Sequence, residues 1–222
     1  MLLEELEWWI GAVGLAGLLA SILYVYWGLW LSLRRPRGRK TGSPERMLNS
    51  AFYTLGGAAY FALCFILWRP LPLTLSGWAR VAALAAGAAL LYTGIALVIW
   101  GRLALGRMYN VSSGLGVQLY EDHELVTSGP YAIVRHPMYL GILLVALGGV
   151  LVYRTWTFVF FLGNFPGVYR RAVREEEALA LEFGDRWAAY VDCVPAWLPR
   201  VRRRENCGRN QTNQTNGVSH SQ

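Results

Sequence analysis

The sequence is poor in charge. Only 16% of its 222 residues are Asp, Glu, Lys or Arg, against about 25% in an ordinary soluble domain. Hydrophobic residues make up 55% of the chain. They come in blocks, so the apolar excess points to a bilayer rather than to one large soluble core. Cysteine is scarce: Cys64, Cys193 and Cys207 form no C-x-x-C pair, and an odd count argues against a disulfide framework. Three scattered histidines, His123, His136 and His220, have no zinc-ligand spacing, and no metal is expected. The N-terminus lacks the positive charge of a cleaved signal and carries Glu4, Glu5 and Glu7 instead. No alternation of strand and helix patterns runs through the chain, which excludes a soluble dinucleotide-binding α/β domain. The charge that is present is basic, net +7. With apolar blocks between the basic clusters, that balance reads as contact with lipid and not with nucleic acid.

The apolar blocks set the expected architecture: all-α, with five transmembrane helices and a cytosolic amphipathic helix. Trp8 to Leu33 has 26 uncharged residues, Leu48 to Trp68 has 21, and Val81 to Trp100 has 20 and is rich in Ala and Gly. At 1.5 Å per residue each can cross a hydrocarbon core of about 30 Å. Small residues in the third allow close helix approach. Pro137 to Val168 has 32 residues and one charge, Arg154. It is too long for one span, so it reads as a helical hairpin turning near Tyr153-Arg154-Thr155. With the N-terminus outside, the basic residues divide 18 inside to 3 outside (Arg69, Arg80 and Arg154), which satisfies the positive-inside rule. Residues 1–200 then form one membrane-embedded domain, three spanning helices to residue 100 and the chemistry in 101–200. Residues 201–222 form a basic, polar tail without a core.

Two constellations on the inner side could carry chemistry. In Gly129-Pro130-Tyr131-Ala132-Ile133-Val134-Arg135-His136-Pro137-Met138-Tyr139-Leu140-Gly141, Gly-Pro favours a turn and Pro137 suits a first helical turn. Arg135 and His136 then stand at a helix N-terminus, where free N–H groups favour an anion and Arg135 adds a donor fork. The plain alternative is a basic anchor at the start of a helix. The second constellation, Arg170 to Glu177, precedes Leu179, Phe183, Trp187 and Tyr190, which form one apolar stripe at helical spacing. Glu175 and Glu176 flank that stripe and Glu177 points away from it. The alternative for all three is a solvated acidic helix start, which periodicity slightly prefers for Glu177 and leaves open for Glu175 and Glu176.

Together with Val194-Pro195 and Pro199, the Gly129–Gly141 run and the pattern Glu175-Glu176-x-x-Leu179-x-x-x-Phe183-Gly184-x-x-Trp187-x-x-Tyr190 resemble the isoprenylcysteine carboxyl methyltransferase family. That family is in turn similar to phospholipid N-methyltransferases. The resemblance covers roughly residues 100 to 200 and implies S-adenosyl-L-methionine as cofactor. By residue, it implies cofactor contacts at His123, Glu124, Leu125 and Val126, at Tyr131, at His136, Pro137, Met138 and Tyr139, and at Glu175. Gln118 is carried over on a loop of different length. It implies a substrate contact at Arg171. Trp187 stands where the family more often has tyrosine. Arg135, His136 and Glu176 are the candidate catalytic residues, with Glu176 or His136 serving as base for an amine acceptor. The expected partners are the bilayer and a lipophilic or small-molecule methyl acceptor: prenylcysteine carboxylate, phospholipid amine or small thiol. A sterol-type reductase using NADPH would need a phosphate-binding basic cluster that the sequence does not display. A non-catalytic membrane binding protein is the remaining alternative.

Overall fold

The computed structural model describes residues 2–32, 37–42, 50–109, 112–113, 116–120 and 122–199. The tail beyond residue 200 and much of the first basic loop lie outside them. Helices α1 (Leu2–Ser32), α2 (Ser50–Ile66), α3 (Gly77–Leu105) and α4 (Pro137–Tyr153) are followed by α5 (Trp156–Gly163), α6 (Phe165–Phe183) and α7 (Asp185–Cys193). The chain is thus predominantly helical, with one addition that the sequence pattern did not suggest. Strands β1 (Arg37–Gly42), β2 (Ser112–Ser113) and β3 (Gly116–Tyr120) form a small antiparallel sheet in the order β1-β3-β2. Leu119 of β3 is buried against Ala178 and Leu179 of α6, so the sheet backs the amphipathic helix.

Among the described residues, two helices are long and apolar enough to cross a membrane, over Leu2–Gly28 and Gly77–Met108. The apolar helices Leu55–Ile66 and Pro137–Tyr153 are shorter. The first helix starts at Leu2 rather than Trp8, taking the three N-terminal glutamates into its first turns.

The third and fourth helices are locked backbone to backbone. Gly87, Gly94 and Gly101 recur every seven residues on α3, and Gly141 and Gly148 do so on α4. A Cβ on Gly94 would lie 2.6 Å from the Gly141 carbonyl oxygen, and one on Gly148 would lie 2.4 Å from the Leu91 backbone nitrogen. Such contact is open only to glycine and lets dispersion act along the whole seam. Leu91, Ile95, Val145, Val152 and Phe158 are buried together around it.

Helix α1 leans on this pair through polar contacts at one end. The Tyr92 and Tyr153 hydroxyls donate to the carbonyls of Ile10 (2.8 Å) and Gly11 (2.7 Å). Glu7 pairs with Arg80 and, at 3.2 Å, with Arg154. Arg154 adopts the left-handed conformation (φ 50°, ψ 47°) that ends α4, so the chain reverses where the sequence pattern placed the hairpin.

Two expected helices are broken. The second arm of the hairpin ends at Gly163, giving α5 only 8 residues, about 12 Å of helix. Asn164 and the following Phe165-Pro166 start α6 anew, because proline has no N–H to continue the preceding helix. The stripe from Leu179 to Tyr190 is likewise split at Gly184, whose φ of +49° suits glycine alone. Its four side chains still meet in one cluster with Leu125, Val191 and Val194. Cys64 is a free thiol. Among the described residues no His, Cys, Asp and Glu cluster could hold a metal.

The glycine seam predicts that Gly94→Leu or Gly148→Leu destabilises the protein by about 3 kcal/mol or more, because backbone cannot move aside. Gly163→Ala, where an added Cβ meets nothing within 4 Å, should change little. Thermal unfolding in detergent reads both.

Candidate active site

The site begins where the chain re-enters the helical bundle. Gly129 takes φ +62°, opening a tight 3-10 turn over Gly129–Ala132 that buries Pro130 and Tyr131. The chain then passes through Arg135 and His136 into α4, whose first residue is Pro137. This passage is pinned by the C-terminal strap: the Arg135 and His136 backbone N–H groups donate to the carbonyls of Pro195 (2.8 Å) and Ala196 (3.0 Å). The Tyr190 hydroxyl donates to the Tyr131 carbonyl at 2.7 Å.

Glutamates from α6 meet this turn. Glu176 accepts from Arg135 Nε (3.0 Å to Oε1) and Nη2 (3.3 Å to Oε2), and its Oε1 lies 2.7 Å from His136 Nε2. Arg135 Nη1 also donates to the Val194 carbonyl at 2.7 Å. Burial alone would raise the Glu176 carboxyl, but the bonds from His136 and Arg135 outweigh it and hold the group below the ordinary carboxylate range. One residue earlier, Glu175 accepts from the Tyr139 hydroxyl and pairs with Arg171 at 3.5 Å. The Arg171 guanidinium lies 5.6 Å from the centre of the Tyr139 ring. Glu177 is different: its side chain is 46% exposed and pairs with Arg174 on the outer face.

These groups surround one cavity of about 430 Å³. The sequence-expected residues His123, Glu124, Leu125, Val126, Tyr131, Arg135, His136, Met138, Tyr139, Arg171 and Glu175 all line it, although they come from three stretches of chain. Pro137 is buried behind this wall and Glu176 stands outside it, reaching the cavity through Arg135 and His136. Gln118 lies in β3, its backbone paired with Lys40; its side chain lies outside the described residues. Burial pushes the Tyr131 phenol well up and the Tyr109 phenol up, keeping both protonated, and it lowers His123 towards the neutral imidazole.

Several contributors had no local signal in the sequence. Tyr109 lines the cavity, hydrogen-bonds Arg171, and presents its ring to Arg102 at 4.4 Å. The Trp197 ring packs at a tilt against His136 and Tyr139, with ring centres 5.3 and 6.4 Å away. The lining from helices α1, α2 and α5 is mostly apolar and includes Ile22, Val25, Tyr60, Phe61 and Phe161. The cavity therefore combines charged side chains of α6 and of the turn before α4 with apolar side chains of α1, α2 and α5.

Residues 82–186 match the family model described as phospholipid methyltransferase. The chain is 37% identical over 83 residues to the protein-S-isoprenylcysteine O-methyltransferase of Schizosaccharomyces pombe, a match covering 36% of this chain and 35% of that one. It is 27% identical over 123 residues to protein-S-isoprenylcysteine O-methyltransferase B of Arabidopsis thaliana, covering 49% and 58%. It is also 35% identical over 85 residues to the cobalt-zinc-cadmium resistance protein CzcN of Cupriavidus metallidurans, covering 36% and 38%. The matches thus span between about a third and three fifths of these relatives' lengths. With its re-entry turn and its paired glutamates meeting at one cavity inside the matched region, the chain is similar over residues 82–186 to the phospholipid methyltransferases, and over part of its length to protein-S-isoprenylcysteine O-methyltransferases.

Proposed function

We propose that this protein transfers a methyl group from S-adenosyl-L-methionine to a membrane-delivered acceptor, an isoprenylcysteine carboxylate being the best fit. The observation that carries the reading is a single cavity lined both by the linked Glu175, Tyr139 and Arg171 and by apolar side chains of α1, α2 and α5.

The residues suit that cofactor. The Glu175 carboxylate can accept hydrogen bonds from ribose hydroxyls or an ammonium group. The faces of Tyr131 and Tyr139 can hold a sulfonium by cation–π attraction. The turn before α4, with Arg135, offers donors to a carboxylate. When bound, S-adenosylmethionine supplies an electrophilic methyl group on a positively charged sulfur.

The chain's own groups then decide which acceptor fits. Direct displacement needs no covalent enzyme intermediate, so positioning and exclusion of water carry the rate. An amine acceptor would need a base. Glu176 is held by Arg135 and His136 and does not line the cavity, which argues against that role for it and leaves His136, on the cavity wall, as the candidate base. An acceptor already anionic needs no proton removed. Arg171, on the cavity wall beside Glu175, offers such an anion a partner.

The finer topology belongs to the same proposal: five membrane-embedded helical segments, with α5 crossing only part of the bilayer, the N-terminus outside, and the site on the cytosolic face. It is supported by the 18-to-3 division of basic residues and by the convergence of Glu7, Arg80 and Arg154 at one end of the bundle. With Ser76→Cys and Glu177→Cys variants in sealed cells, an impermeant thiol reagent should label position 76 and spare position 177. The reverse pattern would overturn the orientation.

Calorimetry in detergent tests the cofactor. S-adenosylhomocysteine should bind and NADPH should give no heat. Glu175→Gln should weaken S-adenosylhomocysteine at least about tenfold, since losing a hydrogen bond to a buried charged group costs about 1.5–3 kcal/mol. Glu176→Gln should fall between, acting through Arg135 and His136, and Glu177→Gln should match wild type. Equal losses at all three positions would contradict the assignment of Glu175.

A further inference from the structure

Two phenols meet the Arg171–Glu175 pair on the cavity wall, Tyr139 from α4 and Tyr109. Tyr109 directly follows the short 3-10 turn Gly106–Met108 at the end of α3. Tyr139 commits its hydroxyl proton to Glu175. Tyr109 differs, because it accepts a hydrogen bond from Arg171. A phenol oxygen that accepts from a guanidinium still carries its own O–H donor. That donor and the Arg171 guanidinium therefore stand together on one cavity wall.

The Tyr109 ring is held by a buried cation. The Arg102 guanidinium lies 4.4 Å from its centre and 5.3 Å from the Tyr24 ring of α1. Arg102 has no room to leave: it is 7% exposed and its Nη1 donates to the Gly106 carbonyl at 3.0 Å. Helix α1 passes so close that a Cβ on Gly28 would lie 2.2 Å from Arg102 Nη2. Arg102 Nε is buried with no hydrogen-bond partner among the described residues. Tyr109 thus stands between two guanidiniums, with the Glu175 carboxylate as the one negative charge acting on it. Burial still keeps its phenol protonated. Two positive charges against one favour an anion in the space that Tyr109 and Arg171 line.

We infer that the Tyr109 hydroxyl donates to a carboxylate of the acceptor beside Arg171, and that this bond makes Tyr109 the residue that selects a carboxylate for methylation. The inference deepens the proposed methyl transfer and rests on it. Arg171 has no complete fork to offer an acceptor, because it also serves Glu175, 3.5 Å from its Nε, and the Tyr109 oxygen. The Tyr109 proton supplies the missing donor. With one carboxylate oxygen held, the other attacks. Its lone pair forms the bond to the methyl carbon, the bond from that carbon to sulfur breaks, and the electron pair stays on sulfur. The sulfonium cation becomes a neutral thioether, the carboxylate becomes an ester, and no proton moves. A neutral phenol binds the carboxylate less strongly than a second guanidinium would and so withdraws less charge from the attacking oxygen.

The experiment uses full-length protein in nanodiscs and two probes with the same long alkyl chain. One is N-acetyl-S-alkylcysteine, which carries the carboxylate, and the other is N-acetyl-S-alkylcysteamine, which lacks it. Binding of each is measured with S-adenosylhomocysteine present, and methyl transfer to the first is measured with S-adenosylmethionine. Tyr109→Phe keeps the ring against Arg102 and removes only the donor. It should weaken the carboxylate probe at least about tenfold, the usual loss for a hydrogen bond to a charged group, and raise its KM to match. Binding of the probe without a carboxylate and of S-adenosylhomocysteine should be unchanged, the latter reporting that the variant folds. Equal weakening of both probes, or none, would overturn the inference while methyl transfer by the wild type left the proposed reaction intact. Wild-type protein that does not prefer the carboxylate probe would overturn it as well. Loss of S-adenosylhomocysteine binding in Tyr109→Phe would place the hydroxyl in the fold and also overturn it. Binding of the carboxylate that depends on Tyr109, with no methyl transfer to it, would sustain the Tyr109 contact and remove the proposed reaction.

Discussion

A single carboxylate ties the working end of this protein together. Glu176 holds Arg135 and His136 at once, and Arg135 in turn holds the Val194 carbonyl. The turn that leads into α4, the amphipathic helix α6 and the strap after α7 are thereby fixed to one another. A half-buried carboxylate with three donors around it stays ionised and keeps its neighbours in one geometry. Glu175, one residue earlier, is presented to the cavity because Glu176 is already committed elsewhere.

The remainder of the fold sets this clamp against a rigid support and a looser wall. The support is the α3–α4 seam, where facing glycines bring backbones into contact and deliver Met138, Tyr139 and Val145 to the cavity from a helix that cannot slide. The looser wall is made by α1 and α2, which approach through tyrosine hydroxyls, an ion-pair cluster and ring edges. Charged side chains carried by the rigid side and apolar ones carried by the looser side are what the proposed amphipathic acceptor would require. On that proposal a cofactor would need the fixed geometry and the acceptor a way in.

Much of this was legible in the sequence. The uncharged blocks give the helices because a membrane admits backbone only where its polar groups are paired within the segment. The hairpin turn at Arg154 follows from the length limit on Pro137–Val168. The phases of Glu175 and Glu177 relative to Leu179 follow from 3.6 residues per turn, and the structure places the first on the cavity and the second in solvent. Other features could not be read locally. Gly184 is compatible with a helix interior or a break, and only packing of Phe183 and Trp187 into one cluster decides it. The short α5 was signalled by Pro166 but masked by the apolar run on both sides. The partner of Glu176 and the contributions of Tyr109, Trp197 and the α2 rings depend on contacts between segments tens of residues apart, for which one sequence carries no period or spacing.

The most direct test of the account is transfer of a labelled methyl group. Membranes containing the protein, incubated with S-adenosylmethionine labelled in its methyl group, should pass label into an extractable apolar acceptor as a base-labile ester. Glu175→Gln membranes should pass far less. Label that stays in the aqueous phase or never leaves the cofactor, with the wild-type protein folded and S-adenosylhomocysteine bound, would contradict it.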